Sequence, residues 1–273
     1  MKVDLVMWTK NGEKFLPRVL ERIERVIPQE NVINKILVDD SSTDTTIHIA
    51  KEFNWNVYLN EGGGIPNGAN LALKHVTTDY FVSVEQDVVL AKDWWDRVPN
   101  HLNDERVACA QGIRLATNST LRKLDEYVYS RLESNPLRFG VSIDNNIFRT
   151  KMIRQMGSFP NECSTCMDTI LMKRIVLETP YKWIIDTSVI SDHLREDILK
   201  YIRHSDKLSR LCSGTKYCVH TNTPFLTQLK MFLLSPVRGA IVAAKKRCFH
   251  ILWAYPLIRC SKFKAQFIRR IEK

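Results

Sequence analysis

The chain opens on a run from Val3 to Trp8 that is apolar except at Asp4, followed by the turn residues Lys10-Asn11-Gly12. Phe15, Leu16, Val19, Leu20, Ile23 and Val26 then recur at three- and four-residue spacing. A short apolar run bounded by turn residues reads as a buried strand, and the spacing after it as one face of a helix. The unit repeats. Lys35 to Val38 predicts a strand, Asp39 to Asp44 a loop and cap, and Thr45 to Phe53 a helix. Asn56 to Leu59 predicts a third strand, Glu61 to Gly68 a glycine-rich loop, Ala69 to Val76 a helix, and Tyr80 to Val84 a fourth strand. Strands alternating with helices imply crossover connections and a mostly parallel α/β sheet.

Beyond Ala91 the periodicity loosens. Helices are predicted over Trp94 to Leu102, Leu121 to Leu132 and Asp168 to Leu177, and short strands near Ala108, near Asn146 and over Trp183 to Ile185. Residues 91–224 therefore read as an acceptor-side half laid against the sheet begun by residues 1–90. After Pro224 the composition turns basic and apolar, which sets a boundary and leaves residues 225–273 as a helical appendage.

Charge sharpens that boundary. The 273-residue chain carries a formal net charge of +10, and residues 225–273 hold eleven Lys or Arg against one acid, Glu272. The remainder is balanced, so the appendage alone is built to meet something anionic. Its basic residues are interleaved with Phe225, Phe232, Phe249, Trp253 and Phe263, a pattern of helices lying in the interface of an anionic membrane. The competing reading packs them on the body or on a second subunit, giving a homo-oligomer. Nucleic acid is not expected as a partner, because no reading module is recognisable.

Seven scattered cysteines do not form a disulfide framework and point to a reducing compartment. The N-terminus has no signal-peptide pattern, and no apolar stretch approaches the roughly 20 residues of a spanning helix. The expectation is a peripheral protein on the cytoplasmic face of a membrane, without a transmembrane helix.

In sheets of this kind ligands gather at the carboxyl ends of the strands. Two acid clusters fall there, Asp39-Asp40 after Val38 and Glu85-Gln86-Asp87 after Val84. An ionised carboxylate offers only acceptors and suits the donor groups of a base or ribose. Helix capping by Ser42, Thr43 or Asp44 is the other use of the first segment, and for Asp44 the preferred one. Glu85 and Asp87, spaced i and i+2, suit Mn²⁺ or Mg²⁺, ions that take one or two carboxylates together with substrate phosphates. Cys163-x-x-Cys166 lacks the second pair a zinc site needs, since Cys212 and Cys218 are too far apart in sequence, and reads as incidental thiols. Asn118-Ser-Thr120 matches a glycosylation sequon but has no secretory context.

The segments Val3 to Asn11, Val38-Asp-Asp-Ser-Ser-Thr-Asp-Thr-Thr46, Asn60-Glu-Gly-Gly-Gly-Ile-Pro-Asn-Gly-Ala-Asn70 and the acid triplet, in this order and spacing, resemble the inverting GT-A glycosyltransferases of family 2. The resemblance continues through Phe148-Arg149, Gly157-Ser-Phe159, Met167-Asp168-Thr-Ile-Leu171 and His193, and so covers residues 1 to about 215. It implies a GT-A, Rossmann-like sheet and transfer of a sugar from a UDP- or GDP-sugar to a lipid-linked or glycan acceptor.

By the same resemblance Thr9, Asn11, Asp39 and Asp40 hold the nucleoside, Asn67, Asn70 and Gln86 lie near the donor, and Asp87 binds the metal. Glu85 and His193 join Asp87 as further metal ligands. Where the family has Asp this chain has Glu85, and where it has an acidic pair this chain has Met167 before Asp168. Asp168 matches the general base, which deprotonates the acceptor hydroxyl as it attacks. From the residues alone, a capping box Thr165-x-x-Asp168 explains that acid equally well. An ionised phosphate acceptor, as in a polyprenyl-phosphate sugar synthase, needs no base, and an inactive nucleotide-sugar-binding membrane scaffold needs none of the chemistry. Nucleotidyl transfer wants a basic phosphate-gripping loop that Lys10-Asn11-Gly12 does not supply.

Overall fold

The computed structural model describes residues 1–131, 141–163, 165–211, 217 and 223–271. The first part runs β1 (Val3–Thr9), α1 (Leu16–Val26), β2 (Val32–Asp39), α2 (Thr46–Glu52), β3 (Asn56–Leu59), α3 (Ile65–His75), β4 (Tyr80–Val84) and the two-residue β5 (Val88–Val89). β1 pairs in parallel with both β2 and β4, and β2 with β3. The opening run is apolar but for Asp4 because both of its faces are covered. Val3, Leu5 and Met7 pack with Leu16, Val19, Leu20 and Ile23 of α1, while Val6 and Trp8 pack with Ala69, Ala72 and Leu73 of α3.

Two starts differ from the sequence reading, since β2 begins at Val32 and not Lys35. α3 begins at Ile65 and not Ala69, because Gly64 sits at φ 79°, where a side chain is strained, and breaks the chain into the helix. Pro66 follows in the first turn, where its missing N–H costs nothing.

The second part runs α4 (Trp94–Arg97), a 3₁₀ turn over Pro99–Asn103, β6 (Val107–Ala116), α5 (Ser119–Tyr129), β7 (Asn145–Arg149), α6 (Thr150–Gln155), α7 (Met167–Glu178), β8 (Lys182–His193) and α8 (Ile198–Leu211). The helix expected over Trp94 to Leu102 is thus broken, since Pro99 cannot continue an α-helical ladder. The helix expected to reach Leu132 ends at Tyr129, with Ser130 as its C-cap, while Leu132, Cys212 and Cys218 lie outside the described residues. The strands near Ala108 and Trp183 are ten and twelve residues long.

Among the described residues eight strands form one sheet in the order β3-β2-β1-β4-β7-β6-β8-β5. β7 runs antiparallel to β4 and β6, and β5 antiparallel to β8, while β6 and β8 are parallel. Reversal of β7 brings its first residue, Asn145, opposite Val84 at the carboxyl end of β4. Phe148 of the same strand stacks on Phe81 with ring centroids 5.0 Å apart and meets Phe159 and Trp183 edge-on.

The appendage is three helices, α9 (Phe225–Leu233), α10 (Ser235–Lys246) and α11 (Ile251–Ile271). Val242, Ala243, Ile251 and Ile258 join a separate apolar cluster with Leu121 and Leu124 of α5 and Tyr201 and Ile202 of α8. Among the described residues no single helix is long and apolar enough to cross a membrane. α9 and α10 together, bent by 55°, have the length and composition of a broken span.

Candidate active site

Thr9 and Asp39 are register partners at the ends of β1 and β2. Ser42 N–H donates to Asp39 Oδ2 at 2.8 Å, while Asp39 Oδ1 and the Thr9 hydroxyl are buried without a partner. A buried acceptor left open costs about 1–3 kcal/mol, a cost removed when a donor arrives. Asn11 adopts φ 50°, a left-handed conformation that Asn tolerates better than most residues. It zips the first loop to the second by donating its N–H to Ser42 Oγ at 2.8 Å and accepting from Thr43 N–H at 2.9 Å.

Asp40 is more fully engaged than Asp39. Its Oδ1 accepts from Asn60 Nδ2 and from Gly64 N–H, and Lys10 Nζ lies 3.3 Å from Oδ2. Asp44 accepts from Thr46 N–H at the start of α2, as a capping residue does. The Asn67 amide donates to the carbonyls of Gly62 and Gly63. The Asn70 amide exchanges two hydrogen bonds with the Phe159 main chain, so it ties α3 to the 157–159 loop.

Gln86 accepts from Lys10 N–H at 2.9 Å and donates to Lys10 O at 3.1 Å, joining the loop after β1 to the loop after β4. A Cβ on Gly12 would lie 2.8 Å from Gln86 Oε1, so only glycine admits the amide there.

The metal-side residues come from the junction of β4, β5 and β8. Val88 pairs with His193, which brings His193 Nε2 to 3.2 Å from Asp87 Oδ2. Burial works against ionisation of Asp87, yet the hydrogen bond from His193 and the nearby Arg195 and Arg114 win, holding its pKa at about 2. Burial, with the same two arginines, pushes His193 down to about 3. A neutral imidazole beside an ionised carboxylate is a donor set that accepts a divalent cation.

Among the described residues no three His, Cys, Asp or Glu side chains converge into a complete cage. Mg²⁺ and Mn²⁺ need none when substrate phosphates complete the shell, so the Asp87–His193 pair fits such an ion.

Glu85 takes a different position. Burial raises its pKa to about 6 against the opposing charge of Arg114, whose Nη1 lies 3.8 Å away. The same guanidinium is ion-paired with Asp144, a carboxylate only 1% exposed that directly precedes the reversed strand β7. The Arg114–Asp144 pair is the part of the site that sequence reasoning missed. Its one signal was a lone arginine in the buried run of β6, where a charge demands a partner.

Removing that arginine leaves Asp144 buried and unpaired. Arg114→Leu is expected to lower unfolding stability by about 3–5 kcal/mol, read as a fall in chemical-denaturation midpoint, and an unchanged midpoint would refute the pairing.

Asp168 opens α7, where Cys166 is the N-cap residue and makes no side-chain cap bond. Thr165 Oγ1 faces the sulfurs of Cys163 and Cys166 at 3.4 and 3.9 Å, so the reciprocal capping box is not formed. Asp168 Oδ1 accepts from Thr169 N–H at 2.6 Å. Burial raises its pKa although Thr169 and Arg114 pull it down, and its charge reaches Glu85. Met167 beside it is buried in the core with Phe148 and Phe159, leaving Asp168 as the acid of the pair. Cys163 and Cys166 are buried and packed with Ile170, and burial pushes the Cys166 thiol up to about 12. Among the described residues no further His, Cys, Asp or Glu joins them in a group of three, as a structural zinc site needs.

A cavity of about 410 Å³ lined by Thr77, Asp79, Thr150 and Arg154 lies at the other end of the sheet, beyond the amino end of β4, and includes none of these acids.

The family described as glycosyl transferase family 2 matches residues 4–169. No curated protein sequence matches the chain. Among solved structures, a mannosyltransferase, PcManGT from Pyrobaculum calidifontis, in complex with GDP-Man and Mn²⁺, is similar with a TM-score of 0.61 at 18% identity, over 95% of this chain and 73% of that one. TarS from S. aureus, residues 1–349 in complex with UDP, is similar with a TM-score of 0.60 at 16% identity, over 100% and 92% of the two chains. Glucosyl-3-phosphoglycerate synthase from Mycobacterium tuberculosis follows at a TM-score of 0.53 and 14% identity, over 77% and 80%. At these identities the likeness establishes the shared GT-A fold.

Proposed function

Because the chain belongs to glycosyl transferase family 2 and is a glycosyltransferase, we propose that it transfers a sugar from a UDP- or GDP-sugar to a hydroxyl of a lipid-linked or glycan acceptor, with inversion. The observation that carries this reading is the convergence, at one set of strand ends, of the ionised Asp87 beside neutral His193 and the more basic Asp168, with Arg114 between Glu85 and Asp144.

Asp39, through its open Oδ1, and Thr9 receive the donor groups of the nucleoside, while Asp40 holds the glycine-rich loop in place. Asp87 and His193 hold the divalent ion, Mn²⁺ or Mg²⁺, which when bound supplies Lewis-acid stabilisation of the departing diphosphate. Asp168 takes the proton of the acceptor hydroxyl as its oxygen bonds to the anomeric carbon and the bond from that carbon to the diphosphate breaks. A raised pKa makes Asp168 a stronger base than an ordinary aspartate.

One observation favours a second reading. Arg195 lies over the Tyr201 ring at 5.0 Å and close enough to Asp87 to lower its pKa, yet has no ion-pair partner among the described residues. A cation so placed suits an anionic acceptor, such as a polyprenyl phosphate, which needs no base.

The test is release of nucleoside diphosphate from a set of UDP- and GDP-sugars with Mn²⁺ or Mg²⁺ present. Metal-dependent release, lost on chelation, is expected for one nucleotide. An enzyme that binds donors but releases nothing under any metal is the inactive scaffold instead.

A further inference from the structure

Of the eighteen large hydrophobic side chains exposed among the described residues, ten lie in the 225–271 segment, which is under a fifth of the chain. The apolar patterning of these helices is thus only half accounted for by their packing. The inner faces, Val242, Ala243, Ile251 and Ile258, are satisfied against α5 and α8. Facing outward are Leu226 at 76% exposure, Val237 at 59%, Ile241 at 50%, Phe249 at 76% and Trp253 at 37%. Val237 and Ile241 are one turn apart on α10, as are Trp253 and Leu257 on α11, so each helix presents a stripe and not isolated residues. Contiguous exposed apolar surface of this kind marks a docking face.

Charge identifies the occupant. Lys230, Arg238, Lys245, Arg247 and Lys264 are exposed on the same three helices and their connection, and the segment 225–271 contains no acid. A second copy docked through this face would set two strongly cationic surfaces against each other. An anionic bilayer surface satisfies both features, taking the rings and aliphatic chains at the acyl boundary and the cations at the headgroups. The inner faces hold α10 and α11 on the body, which lays these two helices along the surface.

We propose that the outer faces of α9, α10 and α11 form a docking surface for an anionic lipid bilayer. The surface is joined to the reaction centre through short connections. α5, on which α10 packs, begins three residues after Ala116, the partner of His193, and α8, on which α11 packs, begins five residues after His193. Docking therefore bears on the two helices whose chain connections lead to Ala116 and His193. It does not depend on which sugar or acceptor the enzyme uses.

The experiment is sedimentation of the full chain with vesicles of phosphatidylcholine alone or with one third phosphatidylglycerol. Binding to the anionic vesicles is expected to be at least about tenfold tighter and to be lost in high salt. The double substitution Ile241→Asp and Phe249→Asp is expected to weaken it by at least about tenfold while leaving the melting temperature unchanged, since both side chains are at least half exposed. Arg238→Glu with Lys245→Glu, which leaves the apolar stripe intact, is expected to abolish the preference for anionic vesicles. A chain that stays in the supernatant with anionic vesicles at low salt overturns the proposal. So does a chain whose acidic double variant sediments like the unaltered protein, or one that fails to bind vesicles and forms a dimer that the same double variant splits.

Discussion

Asp87→Asn is expected to reduce kcat/KM for sugar transfer by about a thousandfold or more, equivalent to roughly 4 kcal/mol of transition-state stabilisation. The amide has the shape of the carboxylate but lacks the charge that, with His193, makes the pair the proposed site for a divalent cation. Little else rests on the side chain, since its hydrogen-bond partner in the structure is His193 and the bond that anchors the loop uses the Asp87 main-chain carbonyl, which accepts from Leu194 N–H at 2.8 Å. The fold should survive, and the loss should appear in kcat at saturating donor and metal. Turnover within threefold of the unaltered enzyme would place the metal elsewhere. His193→Ala tests the same centre more gently, because one neutral ligand of two is removed, and losses of about ten- to a hundredfold are expected.

Asp168→Asn should cost about 10²- to 10⁴-fold in transfer to a hydroxyl acceptor, the range for loss of a positioned general base. Its pH signature separates it from Asp87→Asn. Burial raises the pKa of Asp168 above the usual aspartate value, so the acid limb of the unaltered enzyme should lie above that value, and the limb should vanish in the variant. Stability should move the other way. A carboxyl whose folded pKa is raised contributes stability while protonated, and that contribution is lost as pH rises through the folded value. Asparagine imitates the protonated form at every pH. The variant should therefore melt higher than the parent at neutral and alkaline pH, and the gap should close as pH falls below the raised pKa. Undiminished turnover with a higher melting point would point to the anionic acceptor and leave Asp168 without a catalytic task.

How far these positions were legible follows from where periodicity exists. The alternation through β4 was readable because its strands are continuous apolar runs and α1 repeats its apolar face without interruption. Asp39 and Asp87 were readable because a carboxylate directly after a buried strand needs a reason to be there. The reversed strand β7 was not, since Asn145–Arg149 carries two asparagines and an arginine in five residues and the direction of a strand leaves no mark on its composition.

That reversal delivers Asp144 to the carboxyl ends of the other strands, so the Arg114–Asp144 pair followed it out of sight. Gln86, Asn67 and Asn70 were expected against the donor, whereas their amides bind main-chain groups of Lys10, Gly62, Gly63 and Phe159. An Asn or Gln reads alike in sequence whether it meets a ligand or ties two loops together. In the appendage, composition gave basic amphipathic helices, but which side faced inward depended on α5 and α8, elements separated from it by long stretches of chain.

The tie made by Gln86 has a thermodynamic corollary. Its two hydrogen bonds put the loop proposed to meet the nucleoside and the loop that carries Asp87 into a single mechanical unit, with Gly12 leaving room for the joint. Two ligands that each restrain one unit share whatever free energy the restraint costs. Reciprocity then applies without knowledge of the pathway: by whatever factor an occupied nucleoside pocket tightens cation binding at Asp87, the cation tightens nucleoside binding by the same factor. The order in which the two arrive leaves that coupling unchanged, and it sets instead how much of the free enzyme waits half-loaded.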